Sequence, residues 1–215
     1  MVEDRRTILE MGVRAALKLA TDEPWADLTL AQIADGAGIP LEQFHGVANK
    51  DTIADSVERY FDRAMSEGSF DEEEMPRTRL FDVIMMRFEA MEDYRPGLLS
   101  LMKWRQSQPL RLMNLIAARQ ASADWALVCA GLDSSEGLPK PVKATGVAWA
   151  IAQAERAWRK EESADLSRTM AALDGELRKM EERASWITGR RRKKSADSPS
   201  EAAEARDETS PEQAE

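Results

Sequence analysis

The chain has 215 residues, 43% hydrophobic and 32% charged, enough apolar material for a sizeable core in one or two domains. Its net charge of -9 argues against a dominant, sequence-blind binder of nucleic acid or anionic membrane. One cysteine, Cys129, excludes an internal disulfide framework, and one histidine, His45, leaves zinc sites and serine–histidine catalysis without their residues.

Met1 to Arg6 carry charges with no apolar run behind them, and no stretch is long and apolar enough to span a bilayer. A cytoplasmic protein without signal peptide or membrane span is therefore expected. Ala, Leu, Met, Arg and Glu dominate, and no segment alternates apolar and polar residues over a strand's length, so the predicted fold is all-α. The first helix is expected from Arg5 to Ala20, with Ile8, Gly12, Ala15 and Leu19 on one stripe, and Pro24 closes it. Thr29 suits the N-cap of a short helix through Ala34, Gly38 breaks the chain, and another short helix runs from Leu41 to Val47. A longer helix from Lys50 to Met65 buries Ile53, Val57 and Phe61, and the acidic stretch from Glu67 to Glu74 reads as a hinge.

Pro76 opens a helix carrying Leu80, Val83, Ile84, Phe88 and Met91. After the turn from Tyr94 to Gly97 come helices with Leu98, Leu101, Met102 and Trp104, then from Pro109 with Leu112, Leu115, Ile116 and Trp125. Gly131 to Pro141 is a loop before two long helices, Val142 to Lys160 and Asp165 to Trp186. The basic run Arg190 to Lys194 leads into a Ser, Glu, Ala and Pro mixture that lacks an apolar face. The expected organisation is a helix-turn-helix head over residues 1–52, a helical body over 53–187, and a disordered tail over 188–215.

The strongest local signal is Leu28-Thr29-Leu30-Ala31-Gln32-Ile33-Ala34-Asp35-Gly36-Ala37-Gly38-Ile39-Pro40. Ile33 and Ala34 face inward, Ala37 lets two helices approach, Gly38 permits positive φ, and Ile39 anchors the start of the second helix. With a helix before it and Asn49-Lys50-Asp51 opening another after it, this segment resembles the TetR family of bacterial transcriptional regulators. The resemblance implies a TetR-like fold and a homodimer whose paired heads read a double-stranded DNA operator under control of a small effector. Carried over by position, it places Leu41, Glu42, Gln43 and His45 near base edges, with Gln43 the best hydrogen-bonding reader. Arg5, Arg6, Thr29 and Lys50 would hold phosphates. Two departures stand against tight binding. Phe44-His45-Gly46-Val47-Ala48-Asn49-Lys50 is one residue shorter than the family's pattern, and residues 1–50 hold five bases against eight acids.

The blocks from Leu80 to Gly97 and from Ala157 to Asp174 are similar to TetR-like relatives of the ubiquinone-biosynthesis accessory lipid-binding protein. That resemblance implies an alternative: a lipid or isoprenoid carrier that keeps the fold without reading DNA. From the residues themselves, Leu166, Met170, Leu173, Leu177 and Met180 recur every three or four positions as a narrow apolar seam. With small residues such as Ala150 and Ala154 on the preceding helix, the seam suits a dimer interface, the alternative being packing inside one chain. Met85, Met86, Phe88, Trp104, Met113, Trp125 and Trp149 are expected to line a pocket for a small apolar or lipid-like effector, against the alternative of ordinary core. Arg87, Arg95, Arg111 and Arg119 read as surface charges, and Cys129 as a small buried hydrophobe. No carboxylate pair comes with a histidine, thiol, metal set or phosphate loop, so neither enzymatic activity, metal nor cofactor is expected.

Overall fold

The computed structural model describes residues 2–68, 71–134 and 138–196. Among them are nine α-helices and no strands: α1 (Val2–Leu19), α2 (Leu30–Ala37), α3 (Lys50–Asp55), α4 (Val57–Asp62), α5 (Pro76–Glu92), α6 (Arg95–Gln106), α7 (Pro109–Cys129), α8 (Lys140–Trp158) and α9 (Ser167–Ala196). Four of them, α5 to α8, carry a proline in the first turn, where its missing N–H costs nothing. A single hydrophobic core runs from Val13 and Leu17 through Trp25, Ile53 and Phe61 to Phe88, Ile151 and Leu173. The expected head and body thus share one core across residue 52.

Local chemistry fixes α2 at both ends. Thr29 Oγ1 accepts from the Gln32 amide at 3.2 Å while Gln32 Oε1 accepts from the Thr29 amide at 2.8 Å, satisfying two donors reciprocally. Gly38 sits at φ 67°, its N–H returning to Ala34 and Asp35 carbonyls, a left-handed cap that side chains disfavour.

Three segments differ from the sequence-based expectation. In place of a helix from Leu41 to Val47 stands a four-residue 3₁₀ turn, Leu41–Phe44. Phe44 is buried, pinned beside Gly12 of α1, and Gly46 turns the chain at φ 72° before Asn49 caps α3. Too few residues separate these anchors for an α-helix to develop. The single helix expected from Lys50 to Met65 is broken at Ser56 into α3, α4 and a 3₁₀ turn, Arg63–Ser66. Ser56 Oγ donates to the Thr52 carbonyl, and Arg105 Nη2 donates to the Ala54 carbonyl that a continuous helix would offer to residue 58. Finally, α9 continues to Ala196, past the expected start of the tail at 188; residues 197–215 lie outside the described residues.

The dimer seam also needs correcting. Ala150, Ala154, Leu166, Leu173 and Leu177 are buried within one chain, and Met170 and Met180 pack against the same core. The closeness of α8 and α9 explains it: a Cβ on Gly146 would meet Met180 Sδ at 2.7 Å. The apolar stripe is spent holding these two helices to each other and to α5.

Candidate functional site

The head presents the expected readers together. Leu41 is 49% exposed, and Glu42, Gln43 and His45 are also exposed on the 3₁₀ turn and the residue after it. Phe44 alone points inward and holds the turn to α1. Arg5 Nη2 reaches the Val47 carbonyl at 3.4 Å, so its guanidinium lies beside this turn. Arg6 is exposed and paired with Glu10 at 2.8 Å, which reduces its free charge.

The other two expected phosphate contacts have internal work. The Thr29 hydroxyl belongs to the cap of α2. Lys50 Nζ donates to the Ala26 and Leu28 carbonyls, both at 2.7 Å, and stands 5.8 Å from the Trp104 ring centroid. Burial lowers its pKa, though Asp27, Asp51 and Glu23 oppose the shift. Its ammonium ties the loop before α2 to the start of α3, a fixing role that the sequence motif alone did not reveal.

The seven residues expected to line an effector pocket do not converge. Met85 and Phe88 are buried in the core, Met86 is half-buried, and Trp104 packs beside Trp25 with ring centroids 6.2 Å apart. Met113, Trp125 and Trp149 are exposed at 69%, 41% and 55%. Trp125 donates its indole N–H to the Asp62 carbonyl, and Trp149 donates to Glu176. These residues lie on α5, α6, α7 and α8 but some fill the core and others face outward, and periodicity along each helix carries no information about how the helices rotate against one another.

A cavity of about 200 Å³ does open between α6, α7 and α8, lined by Met102, Arg105, Gln106, Leu115, Arg119, Ala152, Arg156 and Arg159. None of these was expected to line a pocket. Behind it lies a buried ionic network. Arg87, 1% exposed, pairs with Glu58 and with Asp62 at 2.8 Å, while Arg105 pairs with Glu58 at 2.8 Å. Burial works to raise the Glu58 carboxyl, but the Arg87 and Arg105 guanidiniums outweigh it and hold it below the ordinary range. Burial leaves Asp62 above its ordinary value despite Arg87 and the Ser122 hydroxyl. Among the arginines read as surface charges, Arg87 is thus wholly internal and Arg119 pairs with the buried Glu155. Arg95 lies 4.4 Å from the Trp158 ring centroid and pairs with Glu92. The Arg111 side chain lies outside the described residues.

Cys129 is half-buried rather than fully enclosed, and burial with Asp62 nearby raises its thiol pKa, which opposes thiolate chemistry. Among the described residues no cluster of potential metal ligands occurs, and no helix is long and apolar enough to cross a membrane.

No family model matches the chain, and no curated protein does. Solved structures do. A TetR transcriptional regulator from Nitrosomonas europaea ATCC 19718 superposes with a TM-score of 0.63 at 17% identity, over 85% of this chain and 98% of that one. A TetR transcriptional regulator from Rhodococcus sp. RHA1 gives 0.57 at 17% identity, over 80% and 96%. A TetR-family transcriptional regulator from Streptomyces coelicolor gives 0.56 at 19% identity, over 94% and 92%. The chain has the all-helical TetR-type fold, which agrees with the resemblance carried by the residues from Leu28 to Pro40.

Proposed function

We propose that this chain, folded as TetR-type regulators are, is a cytoplasmic, homodimeric transcriptional repressor whose paired heads bind a double-stranded DNA operator and whose body takes a small effector. The observation that carries the reading is the capped α2, the glycine turn at Gly38, and the exposed Leu41, Glu42, Gln43 and His45 just beyond that turn. A short exposed element held rigidly by a buried Phe44 is suited to entering a groove, with Arg5 beside it for a phosphate. The acidic head and the 3₁₀ turn imply a modest electrostatic contribution, so affinity rests more on direct contacts than on counterion release.

Gel-shift titration against DNA flanking the gene tests the reading. The intact protein binds at low salt, and Gln43→Ala loses about 1–3 kcal/mol, the worth of a good base contact, without a change in fold. Absence of binding at low salt discards the repressor.

Since the apolar seam is internal, dimerisation falls to the opposite face of α8 and α9. Val142, Thr145 and Trp149 lie exposed on one stripe of α8, with Val142 49% and Trp149 55% open. Gly175 on α9 has open space where a Cβ would stand, which leaves room for close approach of a second copy. Trp149→Glu places a charge at the centre of that face and weakens self-association by about 30-fold, equivalent to ~2 kcal/mol for a buried aromatic anchor. Light scattering over a dilution series reads the shift from dimer to monomer. A variant that stays dimeric at the wild-type midpoint moves the interface elsewhere.

A further inference from the structure

We infer that the cavity between α6, α7 and α8 is a binding site for a small organic anion, one with a carboxylate or phosphate head and a short apolar body. Four of its eight lining residues are arginines, Arg105, Arg119, Arg156 and Arg159. Surface helices often carry arginines, and Arg156 is exposed, but the other three are not simply solvated. Arg105 is 5% exposed, the side chains of Arg119 and Arg159 are largely covered, and the buried Arg159 Nε has no hydrogen-bond partner. An unpaired buried donor marks Arg159 as a guanidinium whose hydrogen-bonding capacity the chain itself does not fill.

Carboxylates do not neutralise the group. Glu155, 2% exposed, is shared, one oxygen accepting from Arg119 and the other from Arg159. Glu58 serves both Arg105 and Arg87, and Asp62 serves Arg87. Arg156 contacts Gln153 at 3.4 Å and makes no ion pair among the described residues. Five guanidiniums against three carboxylates leave two positive charges in surplus, at the mouth rather than in the core. Guanidinium forks match carboxylate and phosphate oxygens two at a time, which fits an oxyanion head better than a halide or a neutral polar group. Met102, Leu115 and Ala152 supply the apolar wall for the rest of the molecule. At about 200 Å³ the cavity holds a small metabolite and not a long lipid tail.

Occupancy has a route to the head. Arg105 lines the cavity and also holds both Glu58 of α4 and the Ala54 carbonyl of α3 at the break around Ser56. An anion that draws Arg105 toward itself loosens that break. Binding stands on the cavity alone; only this consequence for DNA rests on the function proposed above.

Calorimetric titration of the full chain in a buffer free of phosphate and carboxylates tests the site without DNA present. The probes are hexanoate, hexyl phosphate, and hexanol as the uncharged control. Hexanoate or hexyl phosphate binds once per chain and hexanol does not. Arg156→Gln with Arg159→Gln weakens the anion at least tenfold while the circular dichroism spectrum is retained. Equal binding of hexanol, equal affinity in the double variant, or no binding by either anion at millimolar concentration overturns the inference. Adding operator DNA afterwards separates the two readings, since an anion that binds to a protein without DNA affinity sinks the repressor and not the site.

Discussion

Arg87→Met lowers the unfolding free energy by about 3–5 kcal/mol, the expected cost of stripping one partner from a buried charge cluster. The guanidinium is 1% exposed and answers two carboxylates, Glu58 and Asp62, that face it from α4. Met matches the stem of the side chain but leaves both carboxylates in a dry site, with Arg105 the remaining cation for Glu58 and Ser122 the remaining donor to Asp62. Urea denaturation followed by circular dichroism measures the loss. Adding Asp62→Asn to the variant removes one of the stranded charges and recovers part of it, so the double variant is less damaged than the two single losses added together. The pH dependence of stability changes too. Glu58 is held below its ordinary pKa, so its contribution is present above the usual carboxylate range and lost as pH falls through the native value. Asp62, held above its ordinary value by burial, works in the opposite sense. Without Arg87 the acid sensitivity from Glu58 shrinks. A variant as stable as wild type at neutral pH, with an unchanged acid midpoint, shows the network to be energetically idle.

The same network marks where the sequence stopped being legible. Helices α1, α2 and α5 to α9 follow from apolar spacing, the Thr29 cap of α2 and the prolines that open α5 to α8, and the turn at Gly38 from glycine's tolerance of positive φ. Those are local rules, acting within a few residues. Arg87 sits three positions after Ile84 and one before Phe88, on the inward face of α5, yet its charge alone argued for solvent. Its partners Glu58 and Asp62 lie 29 and 25 residues away on another helix, a distance over which no periodicity reaches. The cavity failed for the same reason: its arginines come from α6, α7 and α8 and gain a common purpose only through packing. Aromatic and methionine content pointed instead to residues that fill core or face outward. In the head, the shortness of the segment from Phe44 to Lys50 was visible as a count, and the 3₁₀ turn is its structural expression. What the count left hidden was that Lys50 spends its ammonium on the Ala26 and Leu28 carbonyls.

Gly97→Ala is the second severe substitution, and it separates the head's position from its integrity. A Cβ at Gly97 would lie 2.0 Å from the Leu17 carbonyl oxygen, backbone against backbone with no flexible side chain to give way. To admit a methyl group α6 must retreat from α1, at a cost of about 3 kcal/mol, the upper part of the range for overpacking. Nearby contacts resist the retreat: the Trp25 amide donates to Ser100 Oγ at 2.8 Å, and Trp25 packs on Trp104. The strain therefore falls on the seam where α1, which carries Arg5 and backs Phe44, meets the body. In the DNA-reading dimer proposed above, a shift of this seam changes the separation of the heads, and affinity depends on that separation matching the DNA repeat. Gly97→Ala accordingly loses DNA binding at temperatures where its circular dichroism is still native, while Gln43→Ala loses binding with no loss of stability. If Gly97→Ala binds operator as tightly as wild type despite its lowered melting temperature, the contact between α1 and α6 serves stability only, and the spacing of the heads is set elsewhere.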